Sequence, residues 1–284
     1  MQQQTNTAAL CAYGRAYYTT HSVFGIFKDQ WANLFLGPDV TFNIERFLSS
    51  QTKNQKEKIG FIHSVLSAIP IFRQLLAEIK LAEFAKKHSV IQYVIFGSGF
   101  DSFSLRSLNR NIRVFEVDQK FQLAQKSKIL RNQRISTATP TKFVPVDFSC
   151  EKASDRLLAQ GFDPNIPTFF SILGVFYYLR PIDVENTIRE INFLSQSDRE
   201  LIFDYPLEGF HTNPNCSVYK FSEISKDLGE VMNSGFTEEF MESVLSTNGF
   251  QILENIGPER AALTFLTDLD TFENVRFVYS KGIR

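Results

Sequence analysis

The spacing of apolar residues predicts helices, and no strand, in the first third of the chain. Two amphipathic stretches, over residues 56–67 and 71–87, repeat their apolar positions at helical intervals. Pro70 stands between them and is expected to separate them, since proline interrupts a helix. We therefore predict that residues 1–89 form a helical cap, or lid, in front of a second unit.

A shorter helix is expected earlier in this cap. Asp29 is a suitable N-cap residue for the apolar segment Trp31–Phe35, because its carboxylate can accept hydrogen bonds from the first free N–H groups of a helix. The dipeptide Gly37-Pro38 is expected to end that segment.

From residue 90 onward, short apolar runs alternate with helical patterns. The predicted strands are Ile91–Phe96, Arg113–Val117, Lys142–Val146, Thr168–Leu173, Glu200–Phe203, Phe250–Asn255 and Val275–Ser280. The predicted helices between them cover 119–132, 151–160 and 181–195. This alternation is typical of a parallel sheet with helices on both faces. The predicted fold is thus α/β: a Rossmann-like, doubly wound, mostly parallel seven-stranded sheet over residues 90–284, with an N-terminal helical cap.

Composition and charge are those of a soluble globular protein. The 284 residues are 43% hydrophobic and 21% charged, with a formal charge of −1 from 30 basic and 31 acidic side chains. Nucleic-acid-binding proteins usually carry a basic excess, so no nucleic-acid partner is expected. No run of apolar residues reaches the roughly 18 that a membrane span requires. The amino end also lacks the basic-then-apolar pattern of a secretion signal.

Neither cysteines nor histidines are spaced like metal ligands. Cys11, Cys150 and Cys216 are far apart and odd in number, which argues against both a disulfide framework and a zinc cluster. The four histidines show no ligand spacing. We therefore expect a cytoplasmic protein with no metal site.

Candidate chemistry begins at a glycine turn directly after the first predicted strand. Gly97, Ser98 and Gly99 stand where a tight turn lets the backbone approach a ligand closely. Many strand-to-helix turns need glycine for steric reasons alone, so this turn is weak evidence when taken by itself.

Acidic residues at the ends of the next two predicted strands strengthen that evidence. Glu116 and Asp118 end the second strand, about 20 residues after the glycines, where a carboxylate can accept hydrogen bonds from ribose hydroxyls. Asp147 and Phe148 end the third strand, where they could hold an adenine amino group and ring face. The alternative is that Asp118 and Asp147 only cap the helices that follow them.

The pattern favours a nucleoside cofactor without phosphates. A dinucleotide fingerprint needs a third glycine, but the third position after Gly97 and Gly99 is Ser102. An NAD-dependent oxidoreductase is therefore disfavoured.

Four blocks in this order resemble a known family. They are Tyr93–Arg106 (YVIFGSGFDSFSLR), Val114–Asp118 (VFEVD), Phe143–Phe148 (FVPVDF) and Gly161–Leu179 (GFDPNIPTFFSILGVFYYL). The blocks are similar to the leucine carboxyl methyltransferases, and more closely to their bacterial small-molecule branch. The resemblance extends from about residue 5 to about residue 260. It implies a class I fold, S-adenosyl-L-methionine as cofactor and methyl transfer as the reaction.

The resemblance also implies roles for individual residues. The family's glycine loop, which lies against the amino-acid part of the cofactor, falls on Gly97, Ser98 and Gly99; its ribose acid falls on Asp118, with Glu116 beside it; its adenine acid falls on Asp147, with Phe148 next to it. The arginine that pairs with the cofactor carboxylate falls on Arg73, and Arg15 is a second candidate. Leu173 stands where many members carry a glutamate beside the methionine end.

Methyl transfer from a sulfonium requires alignment and exclusion of water more than a strong base. Tyr177 and Tyr178, just past the fourth predicted strand, are candidate catalytic residues, because an aromatic face attracts cations; alternatively, both pack under the next helix. The expected acceptor is a hydroxyl or carboxylate of a small molecule. Two alternatives remain open: cyclisation of the cofactor to azetidine-2-carboxylate and methylthioadenosine, or non-catalytic cofactor binding. The sequence leaves the oligomeric state open.

Overall fold

The computed structural model of the chain describes residues 6–23, 25–146, 151–233 and 235–283. Seven strands form one sheet, in the spatial order β3-β2-β1-β4-β5-β7-β6. They are β1 (Ile91–Phe96), β2 (Ile112–Asp118), β3 (Thr141–Pro145), β4 (Thr168–Ile172), β5 (Arg199–Pro206), β6 (Phe250–Ile256) and β7 (Val275–Gly282). Strands β1 to β5 pair in parallel, and β7 is antiparallel to both of its neighbours. The predicted Rossmann-like, mostly parallel seven-stranded sheet is confirmed.

Eleven α-helices are found among the described residues. They are α1 (Thr7–His21), α2 (Pro38–Gln51), α3 (Gln55–Phe61), α4 (Ala68–Ala85), α5 (Phe103–Arg106), α6 (Lys120–Asn132), α7 (Ala153–Ala159), α8 (Pro181–Leu194), α9 (Ser217–Asp227), α10 (Glu238–Thr247) and α11 (Pro258–Phe265). The predicted helices over 119–132, 151–160 and 181–195 correspond to α6, α7 and α8.

The central strand β1 shows why the sheet is covered on both faces. All six of its residues are buried, as expected for a continuous apolar run in a parallel sheet. Because side chains alternate along a strand, Tyr93 and Ile95 pack in one core with α4, whereas Val94 and Phe96 pack in another with α8. The sheet is therefore doubly wound, and its carboxyl edge is left free for a ligand.

Pro70 does not separate two helices, so that prediction was wrong. The chain stays helical from α3 through a π-type segment, Ile62–Ser67, into α4, which contains Pro70. Proline cannot donate to the carbonyl four residues earlier, that of Leu66. That carbonyl faces Gly14 of α1 so closely that a Cβ on Gly14 would lie 1.9 Å from its oxygen. Helix α1 thus crosses the helical run at close range at the π-type segment, just before α4.

The same continuous helical run, Gln55–Ala85, is long and apolar enough to cross a membrane by length and composition alone. However, 61% of its most apolar window is buried inside the protein. Its burial is that of a core helix, because α4 packs directly on the sheet through residues such as Leu81 and Phe84.

The remaining helices of the first 89 residues form a smaller core with α1. The predicted segment Trp31–Phe35 is a 3-10 turn over Ala32–Phe35, and the Asp29 carboxylate accepts the Trp31 N–H at 3.1 Å. Gly37-Pro38 ends that turn, but Pro38 also begins α2, which the sequence analysis missed. Pro is favoured at the first helical position because its missing N–H is not needed there. The division of the chain at residue 89 stays a prediction.

Candidate functional site

A cavity of about 610 Å³ lies at the carboxyl edge of the parallel strands. Its walls come from the residues after β1, β2 and β4, from α1 and α4 above them, and from α9 with the segment that follows it. The volume is within the range of small-molecule sites. The cavity also lies at the switch point of the strand order, between β1 and β4, where ligands bind in open α/β sheets.

The glycine turn forms one wall of this cavity. Gly97 and Gly99 have φ angles of +64° and +47°, a region that residues with a Cβ rarely adopt. The N–H of Gly97 donates to the Val117 carbonyl at 2.8 Å, which ties the turn to the end of β2. Ala8 of α1 lies against Gly99: a Cβ there would be 3.2 Å from the Ala8 Cβ. The first turn of α1 therefore covers the glycine turn.

Asp118 is joined to the same turn. Its two carboxylate oxygens accept the N–H groups of Gly99, at 2.6 Å, and of Gln119, at 2.7 Å. Burial raises the pKa of the Asp118 carboxyl, although the two backbone donors oppose that shift. Each carboxylate oxygen has a second lone pair, so Asp118 can still accept hydrogen bonds from a ligand in the cavity.

Ser98, the middle residue of the turn, is 4% exposed and lines the cavity. Its hydroxyl has no hydrogen-bond partner among the described residues. A buried hydroxyl without a partner is costly, so it is suited to a ligand that supplies one.

The structure does not bring Glu116 to the cavity. Both Glu116 and Lys126 of α6 are fully buried, and they form an ion pair. The Ser104 hydroxyl donates to the same carboxylate at 2.7 Å. Glu116 lies two residues before Asp118 on β2, about 6.6 Å further from the carboxyl edge of the sheet, and is covered by α6. The predicted residues Asp147 and Phe148 lie outside the described residues.

Arg73 and Leu173 lie at the other side of the glycine turn, beside β4. Arg73 lines the cavity, and its guanidinium lies 3.3 Å from the buried carboxylate of Asp204. Burial lowers the pKa of Arg73, but the Asp204 charge and hydrogen bond, together with nearby Cys11 and Tyr177, outweigh burial, and the net shift is upward. Gly174, after Leu173, has a φ angle of +70°, and a Cβ there would meet the Arg73 guanidinium at 2.3 Å. Glycine is thus required at position 174 for the Arg73 guanidinium to lie against the chain just after β4.

Asp204, at the end of β5, organises this side of the site. Besides Arg73, it accepts the Gly174 N–H at 2.7 Å and the Tyr177 hydroxyl at 2.8 Å. Burial and the Asp204 charge raise the pKa of Tyr177, so its hydroxyl stays a proton donor to Asp204. Tyr177 lines the cavity, and its hydroxyl is directed at Asp204.

Tyr178 and Arg15 both border the cavity, but the Arg15 guanidinium is already engaged by other residues. Tyr178 lines it, with its hydroxyl near Thr7, and burial raises the pKa of that hydroxyl. Arg15 also borders the cavity, but Asp29 holds its guanidinium at 2.9 Å and the Phe100 carbonyl accepts from it at 2.6 Å. Of the two candidate arginines, Arg73 is thus the one that contacts Gly174 after β4, whereas Arg15 is held by Asp29 and the Phe100 carbonyl.

Several cavity residues were not singled out from the sequence. Asn6 and Thr7 of the α1 start face Gln122 of α6 and Glu230 after α9: Asn6 donates to Gln122 at 2.9 Å, and the Thr7 hydroxyl donates to Glu230. Cys11 lies 3.7 Å from the Arg73 guanidinium. Nothing in the sequence marks these residues, because they come together only through the packing of α1.

No group of three or more His, Cys, Asp or Glu side chains within the described ranges could hold a metal ion. The site is built instead from a glycine turn, one carboxylate at the end of β2, and an arginine held by a buried acid.

Comparison with known proteins identifies a family and a fold that the chain is similar to. Residues 8–192, more than half of the chain, match the leucine carboxyl methyltransferase family. YktD of Bacillus subtilis strain 168, provisionally named an S-adenosyl-L-methionine-dependent methyltransferase, is 28% identical over 295 residues, which cover 96% of each chain.

Two solved structures share the fold at low sequence identity. A DUF574 family protein from Streptomyces avermitilis MA-4680 aligns with a TM-score of 0.63 and 13% identity, over 98% of each chain. A protein from Thermobifida fusca YX, provisionally named a methyltransferase, aligns with a TM-score of 0.62 and 14% identity, over 99% of this chain and 96% of the other.

Proposed function

The chain belongs to the leucine carboxyl methyltransferase family, and from this premise we propose that it transfers a methyl group from S-adenosyl-L-methionine to a hydroxyl or carboxylate oxygen of a small molecule. Methyltransferase activity with this cofactor rests on the family and on relatives such as YktD. The nature of the acceptor is the part that is proposed. The observation that carries the proposal is the bond from Gly99 to Asp118, which joins the glycine turn and the strand-end acid in one cavity wall.

The residues of the cavity fit this cofactor. Asp118 offers free lone pairs for ribose hydroxyls, Ser98 has an unpartnered buried hydroxyl within the described part of the chain, and Arg73 offers a cation for a carboxylate. The glycine turn lets the backbone lie against the amino-acid part. Leu173 and Gly174 would border the same end, and the adenine contacts proposed for Asp147 and Phe148 remain a prediction.

The bound cofactor would supply an activated methyl group, so the protein mainly binds, orients and excludes water. Asp204 holds Arg73 and Tyr177 in position through hydrogen bonds of 3.3 Å and 2.8 Å. The Tyr177 and Tyr178 rings border the cavity and can stabilise a positively charged sulfonium. We assign residues 1–89 the role of a lid, because Ala8 of α1 lies directly on the glycine turn.

The walls of the cavity favour an acceptor that is small and partly apolar. Val65, Ile69, Val218, Phe221 and Met232 line it, and α1 closes over it. No described residue of the lining is a histidine or lysine. An acceptor that is already ionised near neutral pH, or acidic like a phenol, needs no strong base and therefore suits this lining.

Two other functions have less support. No described contact favours cyclisation of the cofactor, and the relatives are named methyltransferases. Non-catalytic binding would need no acceptor space beyond the cofactor. Cyclisation would yield methylthioadenosine without any acceptor, whereas a non-catalytic binding protein would yield no product. A cytoplasmic location stays a prediction.

The proposal is tested with methyl-labelled S-adenosyl-L-methionine and a panel of small apolar carboxylic acids, phenols, alcohols, amines and thiols. We expect label in esters or ethers, accompanied by S-adenosylhomocysteine. Label found only in amines or thiols would contradict the oxygen acceptor while leaving the cofactor assignment intact.

A further inference from the structure

A chain of hydrogen bonds fixes the orientation of the Gln122 side chain. The backbone N–H of Ala9 can only donate, and it donates to Asn6 Oδ1 at 3.0 Å. The other end of the Asn6 amide, Nδ2, must then be the donor to Gln122, at 2.9 Å. The Gln122 atom that accepts this bond is therefore its oxygen, Oε1, and its nitrogen, Nε2, is left to face elsewhere.

The Gln122 Nε2 atom has no acceptor among the described residues, although the residue is only 9% exposed. Such a buried donor costs free energy unless a partner is supplied. Gln122 forms part of the cavity wall, so a molecule bound in the cavity can supply the missing acceptor.

Gln122 lies four residues after Asp118, in the first turn of α6, and both residues line the cavity. Asp118 offers acceptor lone pairs, whereas Gln122 offers a donor. A ribose carries two neighbouring hydroxyls, each of which donates one hydrogen bond and accepts others. A donor and an acceptor side by side match that pair of hydroxyls.

We propose that Gln122 is a cofactor-binding residue that donates a hydrogen bond to a ribose hydroxyl and, through Asn6, links cofactor binding to the first turn of α1. The inference rests on the proposed function. Asn6 is the N-cap of α1, so a ligand that holds Gln122 in place also holds the start of the helix that covers the glycine turn.

The test measures binding of S-adenosylhomocysteine by calorimetry to the wild type, to Gln122→Met and to a control, Gln125→Met. Gln125 lies on the same helix, and its buried amide atoms also have no partner in the described part of the chain, but it does not line the cavity. We expect Gln122→Met to weaken binding by about tenfold or more, as for the loss of one hydrogen bond, and Gln125→Met to leave it near the wild-type value.

Ligand analogues separate a direct contact from a structural effect. Removing the 2′- or the 3′-hydroxyl of the ligand should weaken binding to the wild type, and for one of the two analogues the loss should shrink in Gln122→Met. If Gln122 had only a structural role, the affinity lost on removing the 2′- or the 3′-hydroxyl would be the same in Gln122→Met as in the wild type. Hydrogen exchange supplies a second measure: the ligand should protect residues 7–21 in the wild type and less in Gln122→Met.

The outcomes are distinguishable. If the wild type binds S-adenosylhomocysteine and Gln122→Met binds it equally well, the role of Gln122 is refuted and the proposed function stands. The same holds if removing either ribose hydroxyl costs both proteins the same affinity. If the wild type does not bind S-adenosylhomocysteine, the proposed function fails and this inference fails with it.

Discussion

The backbone N–H of Gly99 donates a 2.6 Å hydrogen bond to the carboxylate of Asp118, nineteen residues further along the chain. This bond unites two motifs that the sequence presents separately, the glycine turn after β1 and the acid at the end of β2. Strands β1 and β2 are parallel neighbours, so their carboxyl ends meet at one edge. The relationship makes Asp118 both a structural partner of the turn and the carboxylate exposed to the cavity.

Replacing Asp118 should impair cofactor binding directly. We expect Asp118→Ala to weaken S-adenosylhomocysteine binding by about 1–3 kcal/mol, the cost of leaving ligand hydroxyls unmatched, or roughly 5- to 150-fold. Calorimetry measures the affinity, and Asp183→Ala, which removes a carboxylate from the surface of α8, is the control. Unchanged affinity in Asp118→Ala would remove the ribose assignment.

The pH dependence of binding follows from the same residue. Burial raises the pKa of Asp118 above the ordinary value of 3.8. Only the ionised Asp118 carboxylate keeps all of its acceptor lone pairs. The affinity for S-adenosylhomocysteine should therefore be highest above the raised pKa and fall as the pH drops through it, by up to about tenfold per pH unit. Asp118→Asn should remove this dependence on pH. The same pH profile in both proteins would assign the titration to another group.

The buried pair of Glu116 and Lys126 should control stability rather than binding. Lys126→Met leaves a buried carboxylate without its cation, which costs about 3–5 kcal/mol of unfolding free energy, measured by urea denaturation. Replacing both partners, with Glu116→Gln and Lys126→Met together, should recover part of that loss. A Lys126→Met protein of normal stability with weakened S-adenosylhomocysteine binding would contradict the assignment of this pair to stability.

The two adjacent tyrosines should behave differently. Tyr177→Phe removes a hydrogen bond to the buried Asp204 carboxylate and should lower the unfolding free energy by about 1.5–3 kcal/mol, since that acceptor is charged. Tyr178→Leu removes an aromatic side chain that lines the cavity and should have the larger effect on the methyl-transfer rate, because an aromatic face attracts the positively charged sulfonium. Thermal denaturation and initial rates test both. The reverse order of effects would mean that the Tyr177 hydroxyl takes part in the reaction.

The sheet was predictable because its central strands β1, β4 and β5 are short runs of mostly apolar residues that are buried throughout. Strand β1 has the predicted bounds, Ile91–Phe96. The helices of the cap were less predictable, since a proline can begin a helix or lie within its first turn as well as end one. Pro38 begins α2, and Pro70 stays inside a helix because the freed Leu66 carbonyl lies against Gly14. Tertiary contact of that kind leaves no local pattern in the sequence.

The candidate site was predictable where strand ends determine position, as for Gly97, Gly99 and Asp118. Glu116 is also acidic and lies on the same strand as Asp118, but its partner Lys126 comes from the next helix and is ten residues away. Gln122 was missed for a related reason. Its orientation is set by Asn6, 116 residues earlier in the chain, and only the folded structure brings the two together.

The central claim is that the cavity binds S-adenosyl-L-methionine and passes its methyl group to a separate acceptor. The most direct measurement follows the nucleoside products by mass spectrometry when the purified protein is incubated with S-adenosyl-L-methionine, first alone and then with an oxygen acceptor from the panel. We predict no turnover without an acceptor, and S-adenosylhomocysteine in amounts equal to the methylated product with one. Methylthioadenosine formed in the absence of any acceptor would contradict methyl transfer and assign the reaction to the cofactor itself.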